Sequence, residues 1–129
     1  MTEASQNLGK TRWAIAEGFI PGESVDPTDH ALVSHEVACL LNATSDDAEI
    51  MITVFFEDRE PAGPYRVRLP ARRTLHLRFN DLVDPEPIPR NTSYASLIDS
   101  SVPIIVQHTR LDSRNPSISL LSTVAFALS

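Results

Sequence analysis

Lysine is almost missing from this chain of 129 residues: Lys10 is the only one, and the other ten basic residues are arginines. Cysteine is equally scarce, and a lone Cys39 can form no internal disulfide, so core packing has to carry the fold. Four glycines supply neither a Gly-x-Gly-x-x-Gly turn nor a phosphate loop, which excludes the familiar nucleotide cradles. Long apolar runs are lacking too. The longest stretch without a charge, Asn115 to Ser129, is interrupted by serines and falls short of the roughly 18 apolar residues of a spanning helix. The opening residues, Met-Thr-Glu-Ala-Ser-Gln-Asn, have neither a basic nor an apolar secretory region, so a cytoplasmic protein is expected.

What is present suits one globular domain over residues 1–129, with residues 1–11 a flexible leader. A hydrophobic fraction of 42% is too high for disorder. The net charge of −6 is unevenly laid out. Residues 1–56 carry net −7, residues 57–78 net +3 from six arginines, and residues 79–129 net −2. An acidic chain with one basic island is not a general polyanion binder.

Alternation with period two dominates, which predicts strands. Ile50, Ile52, Val54 and Phe56 alternate with Met51, Thr53 and Phe55, giving a strand with bulk on both faces, central or covered. Tyr65, Val67 and Leu69 alternate with Arg66 and Arg68; Leu75, Leu77 and Phe79 alternate with His76 and Arg78. Only Pro70 to Arg73 separates these two runs, so a hairpin from Tyr65 to Phe79 is expected, with its arginines outward. Arg12 to Glu17, Val33 to Leu41, Ile104 to Arg110 and Ile118 to Phe126 are further strands, and Tyr94 to Asp99 fits a strand or one helical turn. The polar, proline-bearing residues 21–32 read as a mobile loop. The fold class is therefore all-β, an antiparallel β-sandwich of about seven to eight strands.

Several side-chain groups invite a chemical reading. His35, His76 and His108 with Glu36 could ligate a metal, as in a small metal-dependent barrel enzyme. No close His-x-His spacing supports that, and Arg78 and Arg110 would oppose a cation, so no metal is expected. Ser34, His35 and Glu36 are contiguous, and strand neighbours point to opposite faces, so they form no triad. Arg66, Arg68, Arg72, Arg73, His76 and Arg78 form the basic island. It suits an interface paired with the chain's own carboxylates, an anionic ligand, or DNA, although no aromatics interleave for stacked bases. The polar run Gln107 to Arg114, taken with Trp13, Glu17, His35 and Glu36, could stack and hydrogen-bond a polyhydroxylated ligand, or could be an ion-pair network between strands.

Taken in order, these stretches resemble the sensory rhodopsin transducer family. The segments that carry the resemblance are Trp13 to Gly18, Ser34 to Glu36, Phe56 to Arg66, Pro70 to Thr74, Arg78 to Leu82, Asp84 to Pro89, Val102 to Arg114 and Leu121 to Ala125. Residues 19–33 and Pro116 to Ser119 depart from it. The resemblance implies a β-sandwich that assembles as a homotetramer, a non-enzymatic cytoplasmic sensor for a small polar metabolite such as a sugar, and no cofactor. It implies motif positions at Trp13, Glu17, His35, Glu36, Arg72, Arg73, His76, Arg78, Asn80, His108, Arg110, Asp112 and Arg114. Of these, Trp13, Glu17, His35, Glu36, His108, Arg110 and Asp112 are the expected ligand contacts. The alternative is an interaction module that meets a membrane photoreceptor, or DNA, through the arginine hairpin.

Overall fold

Alternating apolar residues produce eight strands among residues 8–128, the part of the chain that the computed structural model describes. They are β1 (Lys10–Phe19), β2 (His35–Asn42), β3 (Ala48–Phe56), β4 (Ala62–Leu69), β5 (Arg73–Arg78), β6 (Ser93–Asp112), β7 (Ser119–Val124) and β8 (Phe126–Ala127). One short 3-10 turn, Phe79–Asp81, follows β5. Residues 1–7 of the expected flexible leader lie outside the described residues, and β1 is already underway at Lys10.

All pairings are antiparallel, and they make two sheets that share one strand. The first sheet runs β4-β3-β6-β1-β8, and the second runs β5-β2-β6-β7. Strand β6 has 20 residues, and its two halves belong to different sheets. Its first half, Ser93 to Ser100, pairs with β1 and β3; its second, from Ile105, pairs with β2 and β7. Neither β2 nor β3 pairs with Ser101 to Pro103, which lie at the crossing between the sheets. Pro103 has no N–H to leave unpaired there. Tyr94 to Asp99, open between strand and helical turn in sequence, is strand and continuous with Ile104 to Arg110.

The expected hairpin from Tyr65 to Phe79 does not form. Strand β4 pairs with β3 in the first sheet, and β5 pairs with β2 in the second, so Pro70 to Arg72 carry the chain across the sandwich. Local spacing had suggested the hairpin, yet each strand has a better partner: Tyr65 and Val67 face Ile52 and Ile50, while Leu75 and Leu77 face Leu40 and Ala38. The last strand is also divided. The chain changes sheets at buried Ala125, whose N–H bonds the Val106 carbonyl, so β7 and β8 lie on opposite layers.

The core lies between the layers. Ile50, Ile52 and Val54 of β3 are buried on one side, and Leu40, Ile104 and Val106 on the other. Each such side chain contributes roughly 1.5–3 kcal/mol of transfer free energy. The other face of β3 is less well covered, with Met51 at 42% and Phe55 at 41% exposure.

Candidate functional site

Glu36 is where the inward face of β2 breaks its apolar pattern. Alternation points Glu36, Ala38, Leu40 and Asn42 into the sandwich, and Glu36 is completely buried. A carboxylate in that position must be met by donors. The Phe19 N–H donates to Oε1, His108 Nε2 donates to Oε2 at 2.7 Å, and the Arg110 guanidinium reaches Oε1 at 3.1 Å. His108 and Arg110 sit two apart on β6, so both point to the same face, with Arg110 directly opposite Glu36 in register. Arg110 also reaches the Glu17 carbonyl at 3.4 Å and its carboxylate at 3.6 Å. Burial works against the Arg110 charge, but the hydrogen bond and charge of Glu36, with Glu17 adding to them, leave its pKa raised.

Tyr94 closes the inner side of this cluster. Its phenol is pushed well above its ordinary pKa by burial and by the Glu36 charge, against the opposing pull of Arg110 and Arg90. The Tyr94 hydroxyl, the Ser96 hydroxyl and Arg110 Nε are buried with no hydrogen-bond partner among the described residues. Gly18 makes room for the ring: a Cβ there would lie 2.5 Å from Tyr94 Cε2 and 2.7 Å from the Tyr94 carbonyl oxygen. The register of β1 against β6 shifts just before Gly18, and the bulge re-aims the end of the strand toward Glu36.

A cleft of about 440 Å³ opens beside the cluster, under the loop between β1 and β2. Glu23, Ser24, Ser34, Asn80 and Arg90 supply its polar groups. Asn80 is the shared wall: its Oδ1 accepts from the Glu36 N–H at 3.2 Å and its Nδ2 donates to the Ser34 carbonyl at 3.0 Å. Arg90 donates to the carbonyls of Ile88 and Asn80, and no carboxylate among the described residues pairs with it. The loop that reads as mobile in sequence is held at three points. Val25 N–H bonds the Ser113 carbonyl at 2.6 Å, Ser34 Oγ bonds the Glu23 carbonyl at 2.7 Å, and Gly22 N–H bonds Asn91 Oδ1 at 2.9 Å.

Of the seven residues expected to contact a ligand, Glu17, Glu36, His108 and Arg110 come together. Trp13 is farther along β1, packed in the core, with its indole N–H shared between the carbonyls of Lys10 and Ile104. His35 points to the outer face of the second sheet, where its Nδ1 bonds the Val33 carbonyl at 2.7 Å. Asp112 is engaged by Arg114 at 2.7 Å, a bond that holds its carboxyl below the usual range.

The basic island is spread over both layers. Arg66 and Arg68 are on the outer face of the first sheet, Arg68 pairing with Asp47 and Arg66 reaching Met51 Sδ at 3.4 Å. Arg72 ends the crossover and Arg73 begins β5, and His76 and Arg78 lie on the outer face of the second sheet. Among the described residues no three His, Cys, Asp or Glu side chains are grouped to hold a metal ion. Tyr94, Arg90 and Phe19 belong to the site without having been singled out by sequence. Tyr94 has the same parity as Val106, His108 and Arg110, a signal that is legible only once β6 is known to be one strand.

Among the described residues no helix is long and apolar enough to cross a membrane. The chain matches a family model described as Anabaena sensory rhodopsin transducer over residues 8–127. A solved structure of the Anabaena sensory rhodopsin transducer is 54% identical over 79% of this chain and 97% of that one, with a TM-score of 0.68. The crystal structure of Thermotoga maritima 1070 is 31% identical over 94% of this chain and 97% of that one, with a TM-score of 0.83. Among curated protein sequences nothing matches. A family match that runs from before β1 to the end of β8, together with relatives at these identities, establishes that the chain belongs to the Anabaena sensory rhodopsin transducer family.

Proposed function

We propose that this protein is a non-enzymatic cytoplasmic sensor that binds a small polar metabolite, such as a sugar, and passes its occupancy to a partner. The observation that carries this reading is the cleft beside Glu36, whose Asn80 wall is hydrogen-bonded to the buried charge cluster. At about 440 Å³ it falls within the range of small-molecule sites. Asn80, Arg90, Glu23 and Ser24 offer the mixed donors and acceptors that hydroxyl groups need. A ligand that draws on Asn80 also acts on the Glu36 N–H, and Glu36 touches β1 through Phe19 and β6 through His108 and Arg110. Because β6 runs through both sheets, a shift there is felt on both layers.

The partner suggested by the relative's name is a sensory rhodopsin, a membrane photoreceptor. Assembly into a tetramer is supported by exposed apolar residues late in the chain: Leu120 at 69%, Val124 at 64% and Phe126 at 70%. Calorimetry against neutral sugars and sugar phosphates tests the ligand. Binding with Kd below about 1 mM that is lost in Asn80→Ala and Arg90→Ala is expected, and no heat from any of them at that level counts against the reading. Light scattering tests the assembly, with a monomer at micromolar concentration as the contrary result.

A further inference from the structure

We propose a second binding site, on the outer face of the second sheet, for a small phosphate-bearing anion held by Arg78, His76 and His35. Three strands set the geometry. Register places Val37 opposite Arg78 and Cys39 opposite His76, while Thr109 lies opposite Val37 on the other side. His35, Val37, Cys39, His76, Arg78 and Thr109 line a groove of about 280 Å³. Val37 is its floor, only 5% exposed although it faces outward, because the neighbouring side chains stand around it.

The charge on this face is out of keeping with the rest of the chain. The protein has 17 Asp and Glu residues. On the outer face the register aligns His35, Val37, Cys39 and Leu41 with Arg78, His76 and Thr74, and with Leu111, Thr109, Gln107 and Ile105. Leu120, Ser122 and Val124 complete it, and none of these positions is acidic. Arg78 is half-buried, and among the described residues it has no hydrogen-bond acceptor and no carboxylate partner. Arg68, by contrast, has Asp47 and Glu49. A guanidinium that is partly desolvated and left without an acceptor is a donor fork waiting for an anion.

Phosphate fits better than a carboxylate. Side chains two apart on a strand are about 7 Å apart, and diagonal neighbours on adjacent strands about 7–8 Å, so Arg78 stands in the middle of a row, with His76 one step along β5 and His35 one diagonal step away on β2. An anion seated on Arg78 meets a guanidinium fork with an imidazole on either side; phosphate has four tetrahedrally arranged oxygens for them, whereas a carboxylate has two in one plane. His35 donates its Nδ1–H to the Val33 carbonyl, so the neutral ring presents the Nε2 lone pair to the groove, where it accepts from a P–OH of phosphate, a donor that acetate lacks. The charged and titratable groups near the imidazoles are Arg78 and His76 on β5, Cys39 and Glu36 on β2, and His30 in the preceding loop; β6 adds only the Thr109 hydroxyl. The site is separate from the Glu36 cleft, so either can fail without the other.

Imidazole NMR of the full chain, titrated with inorganic phosphate in a non-coordinating buffer near neutral pH, tests the proposal. The His35 and His76 resonances should move together and saturate by about 10 mM phosphate, with His108 unmoved and acetate markedly weaker. Phosphate affinity should fall by at least about tenfold in Arg78→Gln, since a charge-assisted bond to the anion is lost. His76→Gln, at an exposed position that the fold does not need, should weaken binding in the same direction, while Arg90→Ala leaves it unchanged. Unmoved His35 and His76 resonances, an undiminished response in Arg78→Gln, or an equal response to acetate would overturn the site.

Discussion

Glu36 Oε2 and His108 Nε2 lie 2.7 Å apart with side-chain exposures of 0% and 3%, joining β2 to β6 inside the sandwich. The bond and the Arg110 contact on the other oxygen form one unit, and buried units of this kind cost most when broken in half. Glu36→Ala leaves Arg110 without its main partner and should cost about 3–5 kcal/mol. Replacing all three by leucine removes the stranded charge together with its partners and should cost less than Glu36→Ala alone. Urea denaturation of the single and triple variants measures both, and a triple variant much weaker than the single one refutes the coupling.

Tyr94 gives the opposite expectation. Its hydroxyl is buried beside the cluster without a hydrogen-bond partner among the described residues. Removing an unsatisfied buried group relieves a penalty of about 1–3 kcal/mol, whereas removing a bonded one loses a contact. Tyr94→Phe should therefore hold or raise the unfolding free energy while keeping the ring that packs 5.6 Å from Phe79. A loss beyond about 1 kcal/mol in the same urea titration would mean that the hydroxyl is bonded after all.

Gly18 tests how tightly that ring is seated. A methyl group added there would meet both the ring and the backbone of residue 94, and the backbone oxygen at 2.7 Å cannot turn aside. Gly18→Ala should destabilise by about 1–3 kcal/mol, the usual cost of overpacking, and should shift the Tyr94 ring resonances. An alanine variant as stable as the parent, with those resonances unchanged, contradicts the close approach.

Fold class was legible because alternation is a local property: Ile50, Ile52 and Val54 face inward as their spacing requires. Pairing is not local. Nothing in Tyr65 to Phe79 reveals that its two halves find partners in different sheets: β4 turns back onto β3, the strand just before it, while β5 pairs with β2, which precedes both. The same limit applies to the site. Glu36, His108 and Arg110 come together because register sets Arg110 against Glu36 and Ala38 against His108. Trp13 and Asp112 looked equally polar and ligand-like in sequence, and they found backbone carbonyls and Arg114 instead. Asn80, one of the positions that the family resemblance implied, proved to be the link between the cluster and the cleft.

His35 makes stability depend on pH in a definite direction. Burial holds its pKa below the ordinary 6.5, and the charges of Arg78 and His30 add to this, against the opposing pull of the Val33 carbonyl. The unfolded chain therefore takes up the proton near the ordinary value, while the folded chain takes it up only at lower pH. Between the two values the unfolded state holds more protons, so stability rises with pH there. The contribution is complete above the unfolded pKa and is lost as pH falls through the folded one. Wild-type protein should lose more stability than His35→Gln between about pH 7.5 and pH 5.5, and Arg78→Gln, by restoring the imidazole toward its ordinary value, should fall between them. Unfolding free energies in phosphate-free buffers at the two pH values provide the comparison. Parallel curves for wild type and His35→Gln, or a wild type that gains on the variant under acid, would show that His35 takes its proton at least as readily in the fold as outside it.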